Sequence, residues 1–245
     1  MAGSQTPGPV GIEIRPLTTP PQFREAVALQ KITWGFADIE LIPVRVFVTA
    51  QFVGGQTIGA YDRDRMVGFC LSIPGVKQGG KGYLHSHMLA VADQYRNRGL
   101  GRRLKLAQRD DALSRGIELM EWTFDPFEIK NAYFNLERLG AMVTRFVPNM
   151  YGTTSSPLHG GLPTDRCIVQ WWMSTDRVER ILKGERDPRA AARAIAARVP
   201  VPPVRTAESQ QQLSIALAAH LSSGLAATGF ERTTEGGNYL LSLLG

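Results

Sequence analysis

The chain begins with an alternating stretch of apolar and polar residues and then changes to a helical period. Ile12–Pro16 alternates, which predicts a short strand. Residues 20–34 carry apolar side chains every three or four positions behind a pair of prolines, which predicts a helix. Residues 35–53 are polar and interrupted by proline, and no regular element is predicted there. Residues 54–62 and 66–73 flank a polar Arg-Asp-Arg tripeptide, a pattern typical of a β-hairpin.

The next part of the chain continues to alternate between strand and helix patterns. Glycines follow both predicted helices, as they commonly do where a helix ends. The predicted strands are Tyr83–Val91, Ile117–Phe124, Met142–Met150 and Arg166–Met173, and the predicted helices are Leu100–Ser114 and Ile129–Leu139. The order β-α-β-β-β-α-β-α-β-β predicts a mixed α/β (α+β) fold with a mostly antiparallel central sheet flanked by helices.

The pattern changes after Thr175. We predict a basic helix over Arg189–Arg198, a stiff proline linker over Val199–Pro203, a helix over Ser209–Ala227 and a hairpin that turns at Glu235–Gly237. The predicted domains are a flexible tail (1–10), a core (11–175) and a C-terminal appendage of helices and a hairpin (176–245).

Length and composition are ordinary for a globular protein of 245 residues. The first residues lack the basic and apolar regions of a secretory signal, and no apolar run is long enough to cross a membrane. The two cysteines, Cys70 and Cys167, lie in strand patterns without metal-ligand spacing, so we expect buried thiols, no metal site and a cytoplasmic location.

The net charge of +6 is concentrated in two places. Residues 94–115 hold seven Lys and Arg against two Asp, and residues 176–205 hold eight against four acids. A cluster at one glycine turn suits a compact phosphorylated ligand. Nucleic acid is disfavoured because no aromatic side chains are interleaved to stack on bases.

The turn QYRNRGLGRR, residues 94–103, joins a predicted strand to a predicted helix. It is not GxxxxGK[ST], and the third glycine of GxGxxG is missing after Gly101. What remains is Arg96-x-x-Gly99-x-Gly101, whose backbone N–H groups would converge on an anion at the positive end of the helix dipole. The alternative is a plain strand-turn-helix with surface arginines.

With its flanking strand and helix, this turn resembles the acetyl-CoA signature Gln/Arg-x-x-Gly-x-Gly/Ala of the GNAT superfamily of N-acetyltransferases. Three stretches, YLHSHMLAV, EWTFDPFEIKNAYFNLERLGA and GLPTDR, are similar to a little-characterised branch of it. The resemblance implies direct transfer of an acetyl or short acyl group from acetyl-CoA to a primary amine. The residues it assigns to the coenzyme are Leu89, Ala90, Val91, Arg96, Asn97, Arg98, Gly99, Leu100, Gly101, Arg102, Asn131 and Asn135.

Proton transfer has several candidates. His85 and His87 alternate on one face of their strand, the face predicted for Leu89 and Val91, and His85 stands where some relatives carry a glutamate base. The usual acid of the superfamily is a tyrosine four residues before the glycine that ends its helix, and Leu136 occupies that position here. Tyr133, one turn earlier, is the substitute candidate. The histidines could instead be hydrogen-bonded sheet residues, and Tyr133 could be core.

The acceptor site is expected near the loop before the last predicted strand of the core. Its candidate residues are Asp125, His159, Asp165 and Arg166, with an Asp165–Arg166 pair that only fixes the loop as the alternative. The acceptor is an amine of a small molecule or a protein, and a homodimer is left open. Because the usual tyrosine is missing, a CoA-binding sensor or partner module without catalysis is the alternative function.

Overall fold

The computed structural model describes residues 11–156, 160–185 and 194–244. Its helices are α1 (Pro20–Trp34), α2 (Val44–Phe52), α3 (Leu100–Ser114), α4 (Ile129–Tyr133), α5 (Asp176–Leu182) and α6 (Ala207–Ser222). Its strands are β1 (Ile12–Pro16), β2 (Gln56–Asp62), β3 (Arg65–Val76), β4 (Gly82–Val91), β5 (Leu119–Phe124), β6 (Met142–Val147), β7 (Arg166–Trp172), β8 (Ala197–Val201), β9 (Leu225–Thr233) and β10 (Gly236–Leu243). The predicted fold class, mixed α/β with mostly antiparallel strands and flanking helices, is confirmed.

The chain divides into two compact units. The first unit holds the chain up to Ile117 together with Ser155–Gly160, and the second holds Glu118–Thr154 and Gly161–Gly245. The predicted boundaries at residues 10 and 175 stay a prediction, and residues 1–10 lie outside the described part of the chain.

In the first unit the strands are ordered β1-β2-β3-β4 and every pairing is antiparallel. Helices α1 and α2 cover one face, where Phe23, Phe47 and Leu71 are buried together. Helix α3 covers the other face, where Leu100 and Leu104 pack on the strands. Burial on both faces explains why β2 and β3 are almost continuously buried, as a covered sheet requires.

Helix α2 lies in the stretch for which no element was predicted. It begins after Pro43 and buries only Phe47 and Ala50, so Phe52 remains 91% exposed. Its apolar face is short and is interrupted by exposed Val48 and Val53, so the helical pattern is weak. The proline and polar residues before it are a stronger indication of an irregular stretch.

In the second unit the strands are ordered β5-β7-β6-β9-β10-β8. Strand β9 pairs with β6 at Ala227 and Val143, so the chain beyond Thr175 continues the sheet that β5, β6 and β7 form. Helix α5 lies against the turn at Gly140, where Arg177 Nε donates to the Gly140 carbonyl (3.1 Å).

Two predictions for the C-terminal part were wrong. Ala197 and Arg198, predicted as helix, begin β8, and Val199–Val201 of the predicted linker continue it; residues 189–193 lie outside the described residues. Val199 and Val201 are buried and Pro200 is exposed, and proline is tolerated because β8 is an edge strand. The last helix ends at Ser222, before a left-handed Gly224, and Ala226 and Ala227 belong to β9. The hairpin β9–β10 is confirmed.

Candidate active site

The glycine turn of the first unit leads from β4 into α3. Asn97 (φ 60°) and Gly99 (φ 76°) are both left-handed, and Gly99 is the N-cap of α3. Arg96 stabilises the turn, because its side chain pairs with Asp93 (2.9 Å) and donates to the Val91 carbonyl (3.1 Å). The first turn of an α-helix leaves its N–H groups without an acceptor inside the helix, and here these groups follow two left-handed residues. The geometry is that of an anion cradle.

The residues of this turn fit a bound diphosphate. A Cβ atom added at Gly99 would meet nothing within 4 Å, so the space beside the backbone is open. At Gly101 the nearest atom would be Leu89 Cδ2 at 3.7 Å. Arg98 is exposed, so its charge is available to an anion, whereas Arg103 donates to the Ile12 carbonyl (2.6 Å) and holds β1.

Strand β4 contains a β-bulge at His87. Leu71 and Ser72 are neighbours on β3, but their partners on β4 are Met88 and Ser86, so His87 has no partner of its own. The bulge reverses the alternation of side chains. Ser86 and Leu89 therefore both face α3, although they are three residues apart.

This bulge corrects the predicted arrangement of the histidines. His85 does not share a face with Leu89 and Val91, because it lies on the face opposite to Ser86, the side of α1 and α2. The rings of His85 and His87 are 6.0 Å apart. Desolvation lowers the pKa of His87.

The remaining candidates for proton transfer and coenzyme binding lie in the second unit. Leu136, at the usual tyrosine position, is fully buried. Helix α4 continues as a π turn over Phe134–Arg138. The ring of Tyr133 is half-buried beneath the guanidinium of Arg232, whose Cζ lies 3.9 Å from the ring centre.

The two predicted coenzyme asparagines of this helix differ in their surroundings. Asn131 is exposed, so its carboxamide is available to a ligand. Asn135 is buried and its side-chain oxygen accepts from Trp122 Nε1 (3.3 Å). The carboxamide oxygen of Asn135 is therefore already engaged inside the second unit.

The predicted substrate carboxylates already have hydrogen-bond partners on both oxygens. Asp125 Oδ1 accepts from the Phe127 N–H (2.9 Å) and Oδ2 from Arg205 Nη1 (2.8 Å). Asp165 Oδ1 accepts from the Asn149 N–H (2.8 Å) and Oδ2 from Gln210 Nε2 (3.0 Å). Both residues are 5% exposed, so their carboxylates are buried and hydrogen-bonded within the second unit.

The loop that holds the other acceptor candidates is only partly described. Arg166 lies over the ring of Tyr151, with Cζ 5.4 Å from its centre. His159 lies outside the described residues. In the first unit, Ser155 Oγ accepts from the Ala37 N–H (2.9 Å) and Ser156 Oγ donates to the Trp34 carbonyl (2.7 Å). This part of the loop is therefore anchored at the end of α1.

Sequence reasoning missed several polar residues around these candidates. Arg205 and Gln210 connect the two carboxylates of the second unit, and nothing in their local sequence indicates those partners, which come from other elements. Lys105 and Gln108 lie inside the buried face of α3. The positions of Lys105 and Gln108 could have been predicted from the sequence, because these two polar residues, three positions apart, interrupt the apolar stripe that contains Leu104.

Comparison with known proteins agrees with the signature. Residues 27–140 match the model of the acetyltransferase (GNAT) family. Over this stretch the chain is therefore similar to the acetyltransferase (GNAT) family. No curated protein matches the sequence.

Solved GNAT structures share the fold at low sequence identity. The ribosomal-protein-S18-alanine N-acetyltransferase of Escherichia coli has a TM-score of 0.52 and 18% identity, covering 67% of this chain and 97% of its own. Naa50 of Arabidopsis thaliana, in complex with the bisubstrate analogue CoA-Ac-MVNAL, has a TM-score of 0.51 and 16% sequence identity. This match covers 66% of this chain and 98% of Naa50. An acetyltransferase of Elizabethkingia anophelis with acetyl-CoA bound has a TM-score of 0.51 and 17% sequence identity, and the match covers 67% of this chain and 99% of that protein.

Among the described residues, no helix is long and apolar enough to cross a membrane.

Proposed function

We propose that the protein is an N-acyltransferase that moves an acetyl or other short acyl group from acetyl-CoA to a primary amine by direct transfer. The observation that carries this proposal is the turn at Gly99, where two left-handed residues lead into the N-terminus of α3 beside open space. The family match over residues 27–140 supports the same chemistry. Acetyl-CoA, when bound, supplies the acyl group as an activated thioester.

The first unit offers two backbone surfaces to this coenzyme. N–H groups of Arg98 to Gly101 would hold the diphosphate at the positive end of the helix dipole. The backbone of Leu89–Val91, which follows the bulge, would pair with the pantetheine arm as an added strand does. A main-chain N–H of this segment would also stabilise the oxyanion that forms on the thioester carbonyl.

The amine must lose a proton before it attacks. His85 and His87 are the candidates in the first unit, since an imidazole titrates near neutral pH and their rings are only 6.0 Å apart. Tyr133 stays the candidate acid for the leaving thiolate. Its ring is held by a cation–π contact with the guanidinium of Arg232.

Two of the four acceptor candidates remain as candidates for binding the amine substrate. Since the carboxylates of Asp125 and Asp165 are buried and hydrogen-bonded, we assign these residues a structural, bracing role. His159 and Arg166 are kept as acceptor candidates. The E. coli and Arabidopsis neighbours are named for protein or peptide acceptors, so peptides with a free N-terminus are the first acceptors to try. Both cysteines are free and buried, which fits a reducing compartment such as the cytoplasm.

One observation favours a second function, a CoA-binding module without catalysis. Leu136 occupies the tyrosine position of the superfamily and is fully buried, so no acid can act from that site. A module of this kind would bind acetyl-CoA through the same turn but release no thiol.

The test is a thiol-release assay with acetyl-CoA and a panel of amines: amino acids, polyamines, aminoglycosides and peptides with a free N-terminus. We expect thiol release with one class of acceptor, and none with the Gly99→Asp variant as the matched control. Coenzyme binding without turnover for every amine would favour the module. Absence of coenzyme binding would refute both functions.

A further inference from the structure

Helix α3 carries polar side chains on its buried face. Lys105 is 4% exposed and Gln108 is fully buried, although the helix otherwise packs through apolar residues such as Leu104. Ser72 and Ser86 face them from β3 and β4, where the two serines are directly paired in the strand register. Burying this many polar groups is costly unless each one is hydrogen-bonded.

These side chains form one hydrogen-bonded chain in which every member donates in the same direction. The links are Lys105 Nζ to Ser86 Oγ (2.7 Å), Ser86 Oγ to Gln108 Oε1 (3.1 Å), Gln108 Nε2 to Ser72 Oγ (2.6 Å), Ser72 Oγ to Gln56 Oε1 (2.9 Å) and Gln56 Nε2 to Asp111 Oδ2 (2.7 Å). The chain runs from a buried lysine amine to a carboxylate near the surface, and this direction fixes both glutamine amides. A network satisfied in this way rigidifies the elements that it joins.

The chain meets β4 at the residue next to the bulge. Ser86 is the last residue of β4 that pairs regularly with β3 before His87, which has no partner there. A bulge is a local departure from the strand ladder that leaves one residue unpaired, so contacts with a neighbouring element can help to hold its position. Lys105 and Gln108 supply that support from α3.

The same helix begins at the glycine turn. Lys105 lies five residues after Leu100, roughly 7.5 Å along the axis at 1.5 Å per residue. Helix α3 therefore connects the anion cradle at its N-terminus with the bulge of β4. The distance between these two features is set by one helix and by the hydrogen bonds that Lys105 and Gln108 of that helix make with Ser86.

We propose that Lys105 is a positioning residue: by donating to Ser86 it holds the β4 bulge at a set distance from the Gly99 turn, so that the N–H groups after the bulge meet the acyl end of the coenzyme. This inference rests on the proposed function, because it takes the coenzyme to lie on that turn and strand. Burial lowers the pKa of Lys105 to about 7, while nearby Cys70 opposes this change. A pKa this low places the protonation of the Lys105 amine near neutral pH.

The test compares CoA with acetyl-CoA by titration calorimetry, which needs no acceptor. In Lys105→Met and in Ser86→Ala, we expect the affinity for CoA to change less than twofold. The preference for acetyl-CoA, measured as the ratio of its affinity to that of CoA, should fall by about three- to tenfold, because one hydrogen bond contributes a factor of this size. Ser86→Thr, which keeps the hydroxyl, should retain the preference. Lys31→Met is the matched control, since Lys31 is an exposed lysine on α1 paired with Asp38 (2.6 Å).

Folding of each variant is checked by circular dichroism, and Ser86→Ala decides the question if Lys105→Met does not fold. An unchanged preference in a folded variant would overturn the proposal, because a purely structural role alters stability and not ligand choice. Equal loss of CoA and acetyl-CoA affinity would also overturn it. If the parent protein binds neither ligand, the proposed function fails, and the positioning role fails with it.

Discussion

The guanidinium of Arg205 donates to the carboxylate of Asp125 at 2.8 Å, across 80 positions of sequence. The same guanidinium donates through Nε and Nη2 to Gln210 Oε1, and Gln210 donates to Asp165. The C-terminal part of the chain thus holds two buried carboxylates that follow β5 and precede β7. Within the second unit, Arg205 and Gln210 therefore join the carboxylate after β5 and the carboxylate before β7 into one polar network.

Removal of Arg205 should destabilise the protein. Arg205→Ala leaves Asp125 buried without its cation, and we expect the free energy of unfolding to fall by about 2 to 4 kcal/mol, discounted because the Arg205 side chain is 20% exposed. Urea unfolding measures this loss. The matched control is Arg180→Ala, whose exposed pair with Asp176 should contribute no more than about 0.5 kcal/mol. Equal effects of the two substitutions would contradict the bracing role.

The buried Lys105 should make the free energy of unfolding rise with pH. Its pKa is about 7 in the folded protein and 10.5 in the reference state, so the unfolded chain binds more protons between these values. The free energy of unfolding of the parent should therefore rise with pH, relative to Lys105→Met, by about 2 kcal/mol from pH 7 to 9. Urea unfolding of both proteins at several pH values checks this. A constant difference would mean that Lys105 titrates normally.

The histidine at position 85 should matter most when the amine is protonated. We predict that His85→Ala lowers kcat at neutral pH, and that the deficit shrinks as pH approaches the pKa of the acceptor amine, where a base is no longer required. The pH–rate profile with the best acceptor of the panel measures this effect. His220→Ala, on α6 of the second unit, is the control and should follow the parent. A profile unchanged by His85→Ala would remove this residue from the mechanism.

Both cysteines should be unreactive in the folded protein. Burial raises the pKa of Cys70 to about 12, and burial beside Asp125 and Asp165 raises that of Cys167 further. We expect no reaction with a thiol reagent at pH 8 until denaturant is added, when both thiols react. Rapid reaction of either thiol in native buffer would show that its strand opens. The result also determines whether the thiol-release assay has a background from the protein itself.

Much of the first unit could be predicted from sequence because its signals are local. The helices Pro20–Trp34 and Leu100–Ser114 have the predicted boundaries, since prolines, glycines and periodic apolar residues mark their ends. The glycine turn was visible for the same reason. Its left-handed residues are Asn97 and Gly99, the types that tolerate this conformation.

The missed features depend on contacts between distant residues. The bulge at His87 shifts the face of every residue before it, and nothing in LHSHMLAV distinguishes a bulged strand from a regular one. Strand β8 forms because β10 offers Val199 and Val201 a partner, which overrides the linker signal of the prolines. The bonds of Asp125 and Asp165 to Arg205 and Gln210 likewise depend on the fold of the second unit.

In the proposed function, main-chain N–H groups at the Gly99 turn bind the diphosphate of a thioester coenzyme. Titration calorimetry with acetyl-CoA tests it on the parent, Gly99→Asn and Gly99→Asp. Asparagine tolerates the left-handed conformation without charge, and a side chain at this position meets no protein atom within 4 Å of its Cβ, so both variants should fold. We predict that the parent binds, that Gly99→Asn binds more weakly and that Gly99→Asp does not bind, because its carboxylate repels the phosphates. Binding of acetyl-CoA by Gly99→Asp with the affinity of the parent would contradict the account.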